Sequence, residues 1–140
     1  MTIGEILFQN KPGISMMEID ILLSHILQQP KEYLYSHPEK TLTAHQIKKL
    51  ESYIKRRQAG EPIAYITGHK EFFGLDFSVN NHVLIPRPDT ELLVKTVINA
   101  LHNNDLVLDV GTGSGNIAVT IKKHFKQCTM LASDISRNAL

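Results

Sequence analysis

One cysteine, no tryptophan and almost no net charge narrow this 140-residue chain before any motif is read. With Cys128 alone, neither a disulfide framework nor a cysteine-rich zinc site can form within one chain, and a reducing compartment fits. A formal net charge of +1 and a sequence pI near 7.9 supply no basic excess of the kind nucleic-acid binders carry. No apolar run approaches the ~18 residues of a membrane span, and no basic n-region with a long apolar stretch follows the first methionine. These absences describe a cytoplasmic protein that binds neither membrane nor nucleic acid directly and is not selected for its partners by bulk charge. His25, His37, His45, His69, His82, His102 and His124 show no metal-ligand spacing, so surface or capping roles are expected and no metal is. Repeats and low-complexity tracts are absent too, and 42% hydrophobic with 21% charged residues is the make-up of an ordinary globular protein.

What is present falls into three stretches: a helical domain over 1–60, a β-hairpin linker over 61–88 and a βαβ stretch over 89–140. Ile19, Leu22, Leu23, Ile26 and Leu27 form one apolar helical face, closed by Pro30, with a short turn from Tyr33 to Ser36 after it. Met16 and Met17, ahead of that face, read as packing residues. Thr43 and Gln46 make a T-x-x-Q capping box for a helix that turns Ile47, Leu50 and Ile54 inward and stops at Gly60. Its last turn holds Lys55, Arg56 and Arg57, cations that suit the negative end of a helix dipole. From Ile63 to Ile85 the period becomes alternating, with Leu75, Phe77 and Val79 on one face and Gly68 and Gly74 as punctuation, which predicts an antiparallel hairpin bridging two domains. Phe72 and Phe73 read as hairpin core or as an aromatic pair for a protein substrate. Pro86-Arg87-Pro88 is stiff and extended, and presents one guanidinium that orients a substrate or clamps an interface. Asp89 or Thr90 then caps a helix whose inward stripe is Leu93, Val97 and Leu101, ending at Asn103-Asn104.

The final third carries the chemistry. Strand, helix, strand over 106–110, 116–124 and 128–133 imply a parallel pair with a crossover helix. The first strand ends in Asp109 and runs into Gly111, Gly113 and Gly115, a turn in which backbone can approach a ligand with no Cβ in the way. Asn116 stands where the dinucleotide fingerprint would place its third glycine, so the pattern is GxGxG and argues against a nicotinamide oxidoreductase. Asp134 closes the second strand, where a carboxylate can accept hydrogen bonds from both ribose hydroxyls of a nucleoside. Asp109 is open to two roles: meeting a cofactor ammonium, or holding the turn by accepting backbone N–H bonds.

VLDVGTGSGN with ASDIS resembles the first two motifs of class I S-adenosylmethionine-dependent methyltransferases. GEPIAYITGHKEFFGLDFSV and LIPRPDTELLV are similar to the release-factor glutamine methyltransferase family, the HemK or PrmC type, and the likeness covers essentially the whole chain. It implies a helical domain that helps dock a peptide-chain release factor, a hairpin, and the first βαβ part of a Rossmann-like methyltransferase domain. The activity implied is methylation of the glutamine side-chain amide in the GGQ tripeptide of release factors, with S-adenosylmethionine as donor. By that likeness Gly111, Thr112, Gly113, Ser114 and Gly115 line the methionine end of the cofactor and Asp134 holds its ribose. The family's Asn-Pro-Pro-Tyr motif, which orients the amide, does not occur in these residues, so no catalytic residue is assigned. Ser136 reads as the cap of a further helix, and two strands are few for a doubly wound sheet. The expectation is therefore a truncated chain with a cofactor cradle and little activity alone. The alternative is a non-catalytic module that binds release factor or ribosome and keeps a partial cofactor site. Oligomeric state is left open.

Overall fold

The computed structural model describes residues 1–9 and 11–139. The chain is mixed α/β, with helices first and two small sheets after them, and divides into two compact units at Thr67/Gly68.

The first unit is all helix: α1 (Ile3–Leu7), α2 (Met16–Leu27), α3 (Lys31–Ser36), α4 (Ala44–Gln58) and α5 (Ile63–Thr67). Capping boxes start three of them, Thr2 with Glu5, Ser15 with Glu18 and Thr43 with Gln46, so the same device that the sequence shows at Thr43 recurs at two shorter signals. Ile3, Ile6, Leu22, Leu23 and Leu34 are fully buried. Each contributes roughly 1.5–3 kcal/mol relative to exposure. Gly4 sits where a Cβ would meet Pro38 at 3.2 Å, and its N–H donates to the Pro38 carbonyl at 2.9 Å, so α1 lies tightly against the chain between α3 and α4 and a larger residue there would push the two apart.

Three expectations for this unit and its edge need correction. Tyr33 to Ser36 is not a turn but most of α3, which Pro30 begins, while α2 ends earlier at Gln28 in a left-handed cap. Residues 63–67 are helix rather than strand: Ile66 is buried in the helical core and the Thr67 hydroxyl bonds back to the Ile63 carbonyl at 3.0 Å. Met16 and Met17 are exposed, because the first turn of α2 points them away from the core that Ile19 and Leu22 enter. The charge run ends α4 as expected, but two of its cations have defined partners: Arg57 donates to Glu18 at 2.7 Å, and Arg56 meets Glu61 with both arms of its fork.

The second unit holds β1 (His69–Phe72), β2 (Leu75–Ser78), α6 (Asp89–Ala100), β3 (Leu106–Val110), α7 (Asn116–His124) and β4 (Thr129–Ser133). β1 and β2 pair antiparallel through a two-residue turn, Phe73-Gly74, with φ of +54° and +71°. Both residues of a type I′ hairpin turn need positive φ, which is costly for phenylalanine. The cost is offset locally: the Phe73 N–H donates to Glu91 of α6 at 3.1 Å, and its ring meets His124 edge-on at 5.0 Å. Phe72 and Phe77 join Val94, Ile121 and Cys128 in one core, so the hairpin is built into this unit. In α6 the buried stripe is Val94 with Val97, Ile98 and Leu101, whereas Leu93 is half exposed, one position off the expected face. Pro88 rather than Asp89 or Thr90 takes the cap position, and no side chain caps the helix.

β3 and β4 are parallel, in the register Leu106↔Thr129 to Val110↔Ser133, with α7 as the crossover. Val107 and Met130 face the core under α7, but Leu106, Leu108 and Val110 are 60–75% exposed on the opposite face of the sheet. After Ser136 residues 137–139 form a turn, so no helix follows among the described residues; Leu140 lies outside them. No helix among the described residues is long and apolar enough to cross a membrane.

Candidate functional site

The glycine turn is set by backbone geometry. Gly111, Gly113 and Gly115 have φ of +77°, +55° and +74°, a region that costs an L-residue roughly 1–2 kcal/mol each. The turn is pinned to the neighbouring strand by the Ser133 carbonyl, which accepts the N–H groups of Gly111 at 2.8 Å and Thr112 at 2.9 Å. Gly115 then caps α7 and donates to the Thr112 carbonyl at 2.9 Å. The result is a loop whose backbone faces a cleft rather than the core.

Two carboxylates brace this loop. Asp109 accepts the buried Thr112 hydroxyl at 2.7 Å, so it holds the turn through a side chain instead of through backbone N–H groups. Asp134 accepts the Gly113 N–H on Oδ2 and the Ser136 N–H on Oδ1, each at 2.8 Å. The Ser136 N–H first, then that of Gly113, hold its carboxyl below the usual aspartate range, against a smaller opposing effect of desolvation. Asp134 is therefore an anion at neutral pH, next to the turn across which it was expected to act. Ser114 donates to Asn116 at 3.2 Å, and Asn116 is buried in the first turn of α7. The residue that breaks the dinucleotide fingerprint is thus part of the loop's support.

Residues 84–87 and Thr90 form one wall of a cleft of about 120 Å³, and residues 111–114 with Asn116 and Ile117 form the other. Gly111 to Ser114 line it together, with Asp134 bonded to that stretch at Gly113. Gly115 stands behind it at the helix cap. The sequence reading isolated Arg87 but not Leu84, Ile85 or Thr90; the available signal was the stiffness of Pro86-Arg87-Pro88, which fixes where the segment on either side can go. A larger cleft in the helical unit, about 220 Å³ and lined by Leu7, Phe8, Ile14 and Ile19, brings no carboxylate or backbone turn to a common point. Among the described residues no group of three or more His, Cys, Asp or Glu is placed to hold a metal ion.

The chain is similar to known proteins along most of its length. Residues 6–68 match the family model described as the PrmC N-terminal domain. Beyond that segment, a release factor glutamine methyltransferase of Koribacter versatilis (strain Ellin345) is 45% identical over 126 residues, covering 89% of this chain and 45% of the relative. The chain is related to the release factor glutamine methyltransferases. That of Coxiella burnetii (strain RSA 493 / Nine Mile phase I) is 41% identical over 126 residues, with 89% of this chain and 46% of the relative covered. A bifunctional methyltransferase of Rickettsia typhi (strain ATCC VR-144 / Wilmington) is 39% identical over 153 residues, with 94% and 30% covered. Matches spanning 89% of the chain necessarily include the glycine turn, so the likeness to these methyltransferases reaches the cleft and is not confined to the helices. The chain spans a little under half the length of the two release factor glutamine methyltransferases.

Proposed function

We propose that this chain is part of an S-adenosylmethionine-dependent protein methyltransferase acting on the glutamine amide of the GGQ tripeptide in peptide-chain release factors. On this reading the second unit is the start of a Rossmann-like methyltransferase domain, and the helical unit helps dock the release factor. The observation that carries it is the joining of Asp134 to Gly113 across the mouth of a parallel βαβ turn. An ionised carboxylate there retains lone pairs for two ribose hydroxyls while its backbone bonds fix its position.

The residues fit a nucleoside cofactor. Space within 4 Å of a Cβ on Gly111 is empty, so backbone is open to a ligand just where the strand ends. When bound, S-adenosylmethionine supplies a methyl group on a sulfonium. The chain's part is to hold it: Asp134 takes the ribose, residues 111–115 lie along the methionyl end, and Asp109 keeps the turn in shape through Thr112. An amide nitrogen is a weak nucleophile, so transfer depends on groups that orient it and stabilise developing charge. These 140 residues contain no Asn-Pro-Pro-Tyr segment, the one the family resemblance assigns to that task. By themselves they therefore bind cofactor and release factor and transfer methyl slowly.

Titration calorimetry of the 140-residue protein tests the reading. Micromolar binding of S-adenosylmethionine, weakened about tenfold or more by Asp134→Ala, is expected, since hydrogen bonds to a charged group each contribute roughly 1.5–3 kcal/mol. No heat with the cofactor, together with binding of a release factor, would favour a non-catalytic docking module.

A further inference from the structure

We infer that the solvent face of α4 is a docking surface for an acidic segment of a protein partner. At helical spacing His45, Lys48, Lys49, Ser52, Lys55 and Arg56 share the side of α4 opposite the buried Leu50 and Ile54. Cations occupy most of that side. α4 carries five Lys and Arg against one carboxylate, Glu51, at the edge of this face, whereas the rest of the first unit carries three Lys against six carboxylates. Charge is thus sorted within a unit that is nearly neutral as a whole. The helix dipole accounts for cations in the last turn, but Lys48 and Lys49 stand in the N-terminal half of α4, where it gives them no benefit. Lys48 and Lys55 are exposed, and neither they nor Lys49 make an ion pair with a described residue, whereas Arg56 and Arg57 are engaged by Glu61 and Glu18. Tyr53 steadies part of the face: the Lys49 ammonium lies 5.6 Å from its ring centroid and the Arg56 guanidinium 5.9 Å. A cation already held against a ring loses less freedom on binding.

Charge complementarity then selects the occupant. From Lys48 to Lys55 the face runs about 10 Å, two helical turns. A short carboxylate-bearing segment fits within that length and meets a cation at each turn. A polynucleotide, charged at every nucleotide, would run on over a unit whose other side chains are net acidic, and repulsion there opposes it. Exposed charges of this kind guide encounter and are screened by salt. The inference stands on the charge pattern of the first unit alone, so it holds whether or not the cleft takes a nucleoside and whichever protein supplies the segment.

Fluorescence anisotropy with labelled decaglutamate and labelled decauridylate, polyanions of matched length, tests this on the 140-residue protein. At low salt native protein is expected to bind decaglutamate more tightly than decauridylate, and to release it as salt is raised. Lys48→Glu with Lys55→Glu should weaken decaglutamate binding about tenfold or more, because like charges then face each other. Lys31→Glu with Lys40→Glu, also exposed and equal in net charge change, should leave it within about twofold. Lys48→Gln with Lys55→Gln should fall between native protein and the reversed pair, and gives the same reading if the reversal does not fold. Equal loss in the two reversed pairs, binding of decauridylate as tight as or tighter than that of decaglutamate, or no binding of decaglutamate by native protein overturns the inference.

Discussion

Glu18 shows how much one side chain can carry. Its carboxylate accepts the Ser15 N–H at 2.8 Å, the Ser15 hydroxyl at 3.0 Å and Arg57 at 2.7 Å. The Ser15 backbone bond, then the Arg57 bond, lower its pKa in the folded chain. Because the folded value lies below the unfolded one, the stabilisation is full above the ordinary glutamate pKa and is lost as pH falls through the lowered folded value. Thermal melts of native protein and Glu18→Gln should therefore differ most near neutral pH and converge in acid. A gap that stays constant or widens in acid would assign the effect to packing. Ser15→Ala, which removes the cap, is expected to cost about 1 kcal/mol in chemical denaturation. At the glycine turn, Gly111→Ala places a Cβ in open space but at φ +77°, so its cost is backbone strain alone, about 1–2 kcal/mol. At this scale the sequence was a good guide where a residue has one chemical use, as with Thr43, whose capping box forms as read. It was a poor one for Asp109 and Met16, whose surroundings depend on neighbours several residues away.

Elements differ in what made them legible. β3 and α7 run over 106–110 and 116–124 as read, because an apolar run broken by three glycines admits few alternatives. α3 and α5 were missed. Helices of six and five residues are unstable alone and exist here because Leu34 and Ile66 are buried against α2 and its neighbours, which a periodicity count cannot see. In α6 Val97 and Leu101 face the core as read, and Val94 takes the place expected of Leu93, since both are apolar and only packing decides between them. The element on which the second unit turns is α7, whose Ile121 is 1% exposed and meets both hairpin and sheet residues in one core. Ile121→Ala is expected to destabilise that unit by about 2–5 kcal/mol, read as accelerated hydrogen exchange of the β3 and β4 amides. Unchanged exchange there would show that the unit tolerates a cavity at its centre.

For the molecule as a whole, the bare face of the β3–β4 sheet matters most. Leu106, Leu108 and Val110 leave contiguous apolar area in water, and a two-stranded sheet has few partners on that side. Amides of β3 and β4 should exchange faster than those of α2 and α4, whose core is closed around Leu22 and Leu23; equal protection would mean that the face is covered in solution. The exposed leucines should also bind a hydrophobic dye and promote association at high concentration, and Leu108→Lys should reduce both. No single residue in the sequence announces this face, because alternating Leu, Val, Leu, Asp, Val is apolar on both sides of the strand and does not say which side is left open.

Glu91 joins two places that look separate. It stands in the first turn of α6, directly beyond the Arg87 wall of the cleft, and its carboxylate holds the strained Phe73 at the hairpin tip. One carboxylate of α6 therefore ties the hairpin tip to the helix that Arg87 and Pro88 lead into, so the turn that needs two positive φ values is held from the side of the cleft.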